Sequence, residues 1–251
     1  MNLRLGRISD EYPEIKKELF RIQCMYGVAH DTYSSNYPQF GVTTDARITV
    51  FAKCANVVAS TNFGVHFMIE NMLNDDWWKK TEPWARQLHM NPNYDRANDL
   101  REYDVFLKES LLILHLRAIE SSFRDYVRVK WPKESADGTG NFSGVYGMLI
   151  RNLQLESQHE ELLELYNTSR NLIHNNGVYY PSGKKLNQSN PLIYKGTTYP
   201  FEPKQIVEFT EWKFVLMLVR DSLDLLLAVV NHSEITSPAE IRDSFGNPTQ
   251  E

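Results

Sequence analysis

VFLKESLLILHLRAIESSFRDY, residues 105–126, has the strongest periodic pattern in the chain. Apolar side chains recur there at intervals of three, four or seven, the spacing that places them on one face of an α-helix. The positions that define this face are Val105, Leu112, Leu116, Ile119, Phe123 and Tyr126. The pattern predicts a long amphipathic helix that ends before Pro132, because the residue before a proline disfavours helical backbone.

Weaker helical patterns lie on both sides of this stretch. Helices are predicted over the ranges 11–26, 45–72, 146–153, 157–174 and 204–230. Thr44 and Asp45 are candidate caps for the second of these helices, and Ser157 with Glu160 forms a capping box for the fourth. Gly64 is expected to bend the second helix or to allow a close neighbour.

The segments between these helices predict the rest of the architecture. A polar, tyrosine-rich connection is expected after 11–26, and the tryptophans, prolines and asparagines of 74–98 predict an irregular loop with short helical turns. The run 178–201 predicts two short strands around the Ser-Gly-Lys-Lys turn at 182–185. We therefore predict an all-α helical bundle with a small β-hairpin after the helix that ends at His174.

Three regions follow from this arrangement. Residues 1–98 are an N-terminal helical region without an assigned role, 99–232 are the main bundle, and 233–251 are a polar tail that is expected to fray. The chain has 251 residues, of which 42% are hydrophobic and 24% are charged, so it is long enough to bury a large core.

The bulk composition narrows the function classes. Cys24 and Cys54 have no partner at metal-binding spacing, so we interpret them as buried, reduced thiols of a cytoplasmic protein. The apolar run 214–230 contains three charged residues, which favours a core helix over a membrane span. A net charge of −5 argues against a protein that coats duplex DNA, although it permits a local site for nucleic acid.

One stretch is chemically suggestive, RNLIHNNG at residues 170–177. On a helix, Arg170 and His174 lie one turn apart on the same face, where both can reach one phosphate. A histidine can transfer protons near neutral pH, and a guanidinium can hold a phosphate oxygen and stabilise the charge that develops during RNA cleavage. This chemistry requires neither a metal nor a cofactor. Asn175 and Asn176 are candidate ligands for a sugar or base edge, although helix termination alone explains them.

These residues resemble the active-site motif of the HEPN superfamily, which comprises helical-bundle proteins that include RNA-directed nucleases and nucleotide-binding proteins. In that family an arginine, usually followed by a polar residue, precedes a histidine near a helix end, as Arg170, Asn171 and His174 do here. The family usually has four to six residues between the arginine and the histidine, whereas three separate them in this chain. LRAIESSFRDY, residues 116–126, looks like the partner helix, with Glu120 facing the motif.

The resemblance spans roughly residues 100–230 and implies a metal-independent RNA endonuclease of the toxin or defence type. His174 would act as acid or base, Arg170 would hold the phosphate, and Asn171 would position the substrate. The family also implies a homodimer with a composite cleft and, as a candidate partner, an antitoxin. Substrate contacts would come from Glu120, Asn175, Asn176, Lys184 and Lys185, and Lys195 would extend the positive surface.

Other interpretations of the same residues stay open. Arg170 and His174 can simply satisfy the carbonyl groups at a helix end or pair with Glu120. A non-catalytic module of the same fold would bind a nucleotide, RNA or a protein partner, and the short spacing and acidic pI favour it. A helical scaffold without a ligand is the third alternative.

Overall fold

The fold is taken from a computed structural model that describes residues 2–89, 96–138, 140–175, 177–180, 189–207, 211–236 and 239–244. These ranges contain the helices α1 (Asn2–Asn36), α2 (Ala46–Phe67), α3 (Asp75–His89), α4 (Arg96–Lys130), α5 (Pro132–Gly138), α6 (Phe142–Leu153), α7 (Ser157–His174) and α8 (Trp212–Val230), and the strands β1 (Leu192–Tyr194) and β2 (Thr197–Tyr199). A π-helical turn, Met68–Met72, continues α2. The prediction of an all-α bundle with a small hairpin is confirmed.

Helix α4 lies at the centre of the bundle and buries the apolar face that its periodicity predicts. Of the six positions that define its apolar face, all except Val105 are buried. The helix packs against α2, α6, α7 and α8, while α1 packs against α2 and α8. The helices of 1–98 and of 99–232 therefore contribute to one hydrophobic core.

The close approach of α2 and α4 depends on Gly64. A Cβ atom built at this position would lie 2.5 Å from Cδ2 of Leu107 and 3.3 Å from the hydroxyl oxygen of Tyr103. Gly64 thus permits close packing, which was one of the two roles expected for it.

Two stretches that were predicted to be irregular are helical. Helix α1 continues through 27–36, because Ala29 and Tyr33 extend the buried face that includes Tyr26. Helix α3 replaces the loop expected within 74–98. The side chain of Asn74 accepts a hydrogen bond from the backbone N–H of Asp76 at 2.8 Å, and Trp78 is buried.

One predicted helix cap and one predicted helix start are also wrong, although α7 does begin at Ser157 as predicted. The residue that precedes α7 is Glu156, which makes no side-chain capping hydrogen bond, so the Ser157 capping box does not form. Helix α8 begins at Trp212 rather than at Lys204, whose φ is +63°. The backbone at 204–207 instead pairs with 177–179, and the N–H of Val207 donates to the carbonyl of Gly177 at 3.0 Å. Within the described residues, no helix combines the length and apolarity that crossing a membrane requires.

The hairpin lies further along the chain than predicted. Strands β1 and β2 are antiparallel, with Leu192 opposite Tyr199 and Tyr194 opposite Thr197. Positive φ values at Lys195 and Gly196 form the turn between them, which is typical of tight two-residue hairpins. The Ser-Gly-Lys-Lys stretch at 182–185, where the turn was predicted, is outside the described residues.

The segment 239–244 is packed rather than frayed. Arg47 and Asp45 are both buried, and Nη2 of Arg47 contacts Oδ2 of Asp45 at 2.5 Å. The same guanidinium donates to the carbonyl groups of Ile235 and Ala239, each at 2.8 Å. Further along, the buried Asp243 accepts hydrogen bonds from the side chains of α2. A buried ion pair at the start of α2 thus holds this segment in place.

A buried polar network crosses the core. His115 is fully buried, and its Nδ1 lies 2.9 Å from the hydroxyl of Tyr166 while its Nε2 lies 3.0 Å from the hydroxyl of Tyr26. Because the Tyr26 hydroxyl donates to the carbonyl of Val219 at 2.8 Å, it accepts from Nε2–H of His115. Tyr166 then donates to Nδ1. Burial lowers the pKa of His115 to about 3, so the ring is neutral.

The two cysteines differ in burial. Cys54 is buried, as predicted, and its burial raises the pKa of the thiol. Cys24 lies on the exposed side of α1, so the prediction that it is buried is wrong. Both thiols are free.

Candidate functional site

The last two turns of α7 bring Arg170 and His174 to one surface. Both residues are within the helix, and their spacing of four residues places them on the same face with Cβ atoms about 5–6 Å apart. The Arg170 side chain is 34% exposed, and His174 is exposed. The structure therefore gives both side chains access to a ligand that lies along this face.

The helix ends immediately after this pair. The N–H groups of Asn175 and Gly177 both donate to the carbonyl of Leu172, at 2.9 and 2.8 Å. Gly177 has a φ of +80°, the left-handed backbone that glycine adopts without strain. The helix stop predicted from this glycine is confirmed, and it fixes His174 in the final turn.

Glu120 of α4 lies against Arg170. Its Oε2 accepts a hydrogen bond from Nη1 of Arg170 at 3.2 Å, and its Oε1 accepts from Nε and Nη2 of Arg124 at 3.0 and 2.6 Å. The carboxylate is 16% exposed and the Arg124 side chain 23% exposed. Two guanidinium groups thus share one carboxylate, and the three groups together carry a net positive charge.

Glu120 is bound more tightly by Arg124 than by Arg170. Arg124 makes two hydrogen bonds to Glu120, whereas Arg170 makes one, and that bond is longer. The described residues show no other hydrogen bond or ion pair from Arg170. Its remaining N–H groups can therefore bind an external anion while Nη1 keeps its contact with Glu120.

The other predicted site residues are less closely associated. Asn171 is exposed on α7, and Asn175 is half-buried in the turn that follows. Lys195 is in the hairpin turn and donates to the buried Asp221 at 2.8 Å, so it helps to fix the hairpin on α8. Three further predicted positions, Asn176, Lys184 and Lys185, are outside the described residues.

A small cavity of about 60 Å³ lies between α4 and the end of α7, where Glu109, Ile173 and Gly177 contribute to its lining. A much larger cleft, of about 1100 Å³, lies between the hairpin and α8, and none of the predicted site residues that the structure describes lines it. Arg170 and His174 line neither of these two cavities.

Arg124 is a site residue that the sequence analysis missed. The sequence does place Arg124 four residues after Glu120 on a predicted helix, a spacing that favours an ion pair. That spacing is common on solvent-exposed helix faces, and only the packing of α7 against α4 shows that the pair also contacts Arg170.

This arrangement supplies two elements of phosphate chemistry. Arg170 is a cation with unused donors, and His174, one turn away, is a group that can accept or donate a proton. Among family models, curated proteins and solved structures, none was found to match the chain.

Proposed function

We propose that this chain is a HEPN-like protein that cleaves single-stranded RNA without a metal ion, using Arg170 and His174. The observation that carries the proposal is their placement on one accessible face of α7, with Glu120 and Arg124 orienting the arginine. The motif resemblance supplies the reaction class. The toxin or defence role and a cytoplasmic location belong to the same proposal.

The reaction that fits these groups is an attack by the 2′-hydroxyl on the adjacent phosphorus. The 2′-oxygen forms a bond to phosphorus as the bond to the 5′-oxygen breaks, which leaves a 2′,3′-cyclic phosphate and a 5′-hydroxyl. His174 takes the proton from the 2′-hydroxyl or delivers one to the 5′-oxygen. Arg170 binds a non-bridging oxygen and stabilises the charge of the transition state, while Asn171 contacts the ribose or base.

Two proton transfers are needed, and each chain supplies one histidine in the motif. A symmetric homodimer with the two α7 ends facing each other would place a second His174 at the same phosphate. The proposal therefore includes a dimer whose cleft is completed by both chains.

The test compares cleavage of RNA in the presence of EDTA by wild type, Arg170→Ala and His174→Ala. Each substitution is expected to reduce the rate by about 10²-fold or more. Arg151→Ala and His30→Ala are matched controls, because these residues lie on other helices, and their rates should equal that of wild type. Equal cleavage by wild type and the motif variants would refute the catalytic assignment.

A non-catalytic binding module is the second candidate. The contact between Arg170 and Glu120 favours it, because a carboxylate already occupies part of the guanidinium. Such a module would retain intact RNA or a nucleotide, and Arg170→Ala would weaken that binding with no product formed.

A further inference from the structure

One exposed face of α1 carries apolar side chains at its centre. Cys24 is exposed there, and Phe20 and Val28, four residues before and after it, are 59% and 67% exposed. Lys17 and Asp31 lie seven residues before and after Cys24, so all five side chains share one face of the helix. We call Lys17, Phe20, Cys24, Val28 and Asp31 the α1 ridge. Its exposed apolar centre is a patch of the kind that marks an interaction site.

A groove between α1 and α8 enlarges this apolar surface. The groove has a volume of about 500 Å³. Cys24 and Val28 of the α1 ridge form part of one wall, and Leu223 and Leu227 form the other. Among the described residues that line the groove, Arg21 alone is charged. A helix that packs on the α1 ridge therefore also covers part of the groove.

Gly27 lies on the same side of α1, three residues after Cys24. Glycine in the interior of a helix is less favourable than alanine. A Cβ atom built at Gly27 would meet no described atom within 4 Å, so packing within the described chain does not require a glycine there. Close approach of a second helix gives the glycine a role, because a missing side chain makes room for a neighbour.

The α1 ridge is complementary to a second copy of itself. In a two-fold antiparallel pair of α1 helices centred on Cys24, each residue before Cys24 lies opposite the residue at the same distance after it. Phe20 then packs beside the partner's Val28. At each end of the contact, Lys17 of one chain lies opposite Asp31 of the other, so the charges at both ends attract.

The remaining charges on this face agree with the antiparallel pairing. Glu18 accepts hydrogen bonds from the guanidinium of Arg21 at 2.8 and 2.7 Å. Arg21 would lie opposite the partner's Gly27, where the missing side chain leaves room for it. A parallel pairing would instead place the two Lys17 side chains together and the two Asp31 side chains together, which is unfavourable.

We infer that α1 pairs with α1 of a second copy of this chain, antiparallel about a two-fold axis at Cys24. The apolar part of the ridge and the groove supply the contact, and the pairs of Lys17 with Asp31 fix the register. Helix α1 packs mainly on α2 and α8, whereas the contact proposed above involves the end of α7. The two contacts are therefore independent, and together they would give a tetramer.

A thiol cross-link tests this pairing directly. The chain has two cysteines, and Cys54 is buried, so a short bismaleimide added to the folded protein joins chains through Cys24. Wild type at micromolar concentration is expected to give a covalent dimer on a denaturing gel. The variant Cys24→Ser should give none.

Two matched variants keep Cys24 and show whether the α1 ridge brings the two thiols together. Phe20→Ser, Val28→Ser should cross-link about tenfold more slowly than wild type, because the apolar contact is lost. Phe63→Ser, Phe106→Ser removes side chains of α2 and α4 that are 73% and 59% exposed, and it should cross-link like wild type. Circular dichroism confirms that each variant is folded.

Charge reversal tests the register. Lys17→Glu places two carboxylates opposite each other at each end of the contact, and Asp31→Lys places two ammonium groups there. Each of these variants should therefore cross-link more slowly than wild type. The double variant Lys17→Glu, Asp31→Lys restores pairs of opposite charge and should recover the wild-type rate.

Three outcomes would overturn the inference. Equal rates of cross-linking in wild type and in Phe20→Ser, Val28→Ser would show that the α1 ridge is not the contact. Absence of the cross-link in wild type would show that no second copy covers the ridge, even if light scattering finds a dimer, which would then form through another surface. Faster cross-linking in the single charge variants than in wild type would show a parallel pairing.

Discussion

Arg170 touches Glu120 through one nitrogen atom, while Arg124 holds the same carboxylate through two. The sequence predicted that Arg170 and His174 share a helix face, because that relation depends only on helical geometry. It offered Glu120 as a partner only through a resemblance, since a contact between residues so far apart in the chain depends on how α7 packs on α4. The role of Arg124 was invisible for the same reason.

His115 gives a prediction about acid sensitivity. Its pKa falls from 6.5 to about 3 on folding, so between these values the unfolded chain binds a proton that the folded chain does not. The free energy of unfolding therefore falls as the pH is lowered from 6.5, at up to about 1.4 kcal/mol per pH unit. Chemical denaturation at a series of pH values between 4 and 7 measures this slope.

The substitution His115→Gln supplies an amide donor and acceptor but cannot titrate. The free energy of unfolding should therefore change less steeply with pH, by the amount that the binding of one proton to the unfolded chain contributes. His30→Gln is the control, because His30 is partly exposed on α1 and contacts the exposed carboxylate of Asp31. An unchanged slope in His115→Gln would show that His115 does not cause the acid sensitivity.

At the scale of the element, the end of α7 depends on one glycine. Gly177 has a φ of +80°, so Gly177→Ala forces an L-residue into left-handed backbone. We expect the free energy of unfolding to fall by about 1 kcal/mol. The matched change Gly147→Ala, in the interior of α6, meets nothing within 4 Å and should instead raise it by up to about 1 kcal/mol. A loss of stability in both variants, or in neither, would contradict this account.

The elements that the sequence predicted well are those with long apolar periods. Helix α4 and the end of α7 follow directly from apolar spacing and from the glycine stop. Helix α3 was missed because its tryptophans and Pro83 resemble loop composition, and because its burial depends on Trp78 packing beside Met72. The hairpin with its turn at Lys195-Gly196 was not predicted, because another glycine-containing turn signal precedes it. The tertiary pairing of 177–179 with 204–207 is invisible in local patterns.

At the scale of the whole molecule, the buried pair of Asp45 and Arg47 joins the start of α2 to residues far along the chain, Ile235, Ala239 and Ile241. Arg47→Leu leaves Asp45 as an uncompensated buried charge and removes donors from the carbonyls of Ile235 and Ala239, so unfolding should become easier by about 3–5 kcal/mol. The double variant Asp45→Asn, Arg47→Leu should be less destabilised, because no buried charge is left alone. Urea denaturation measures both.

Arg151→Ala is the control for that comparison. Arg151 forms an exposed pair with Glu134 at 3.4 Å, so its removal should change stability by less than about 1 kcal/mol. Equal losses in Arg47→Leu and Arg151→Ala would show that the buried pair is not what holds the segment 239–244.

The central claim is that Arg170 and His174 promote attack by a 2′-hydroxyl. The most direct measurement uses a single-stranded RNA that wild type cleaves, the same sequence with one 2′-deoxyribose at the cleavage position, and EDTA throughout. We predict cleavage of the RNA to a 2′,3′-cyclic phosphate end, no cleavage at the deoxyribose, and loss of both activity and product in the Arg170→Ala, His174→Ala variant. Cleavage at the deoxyribose, or equal cleavage by the double variant, would contradict the claim.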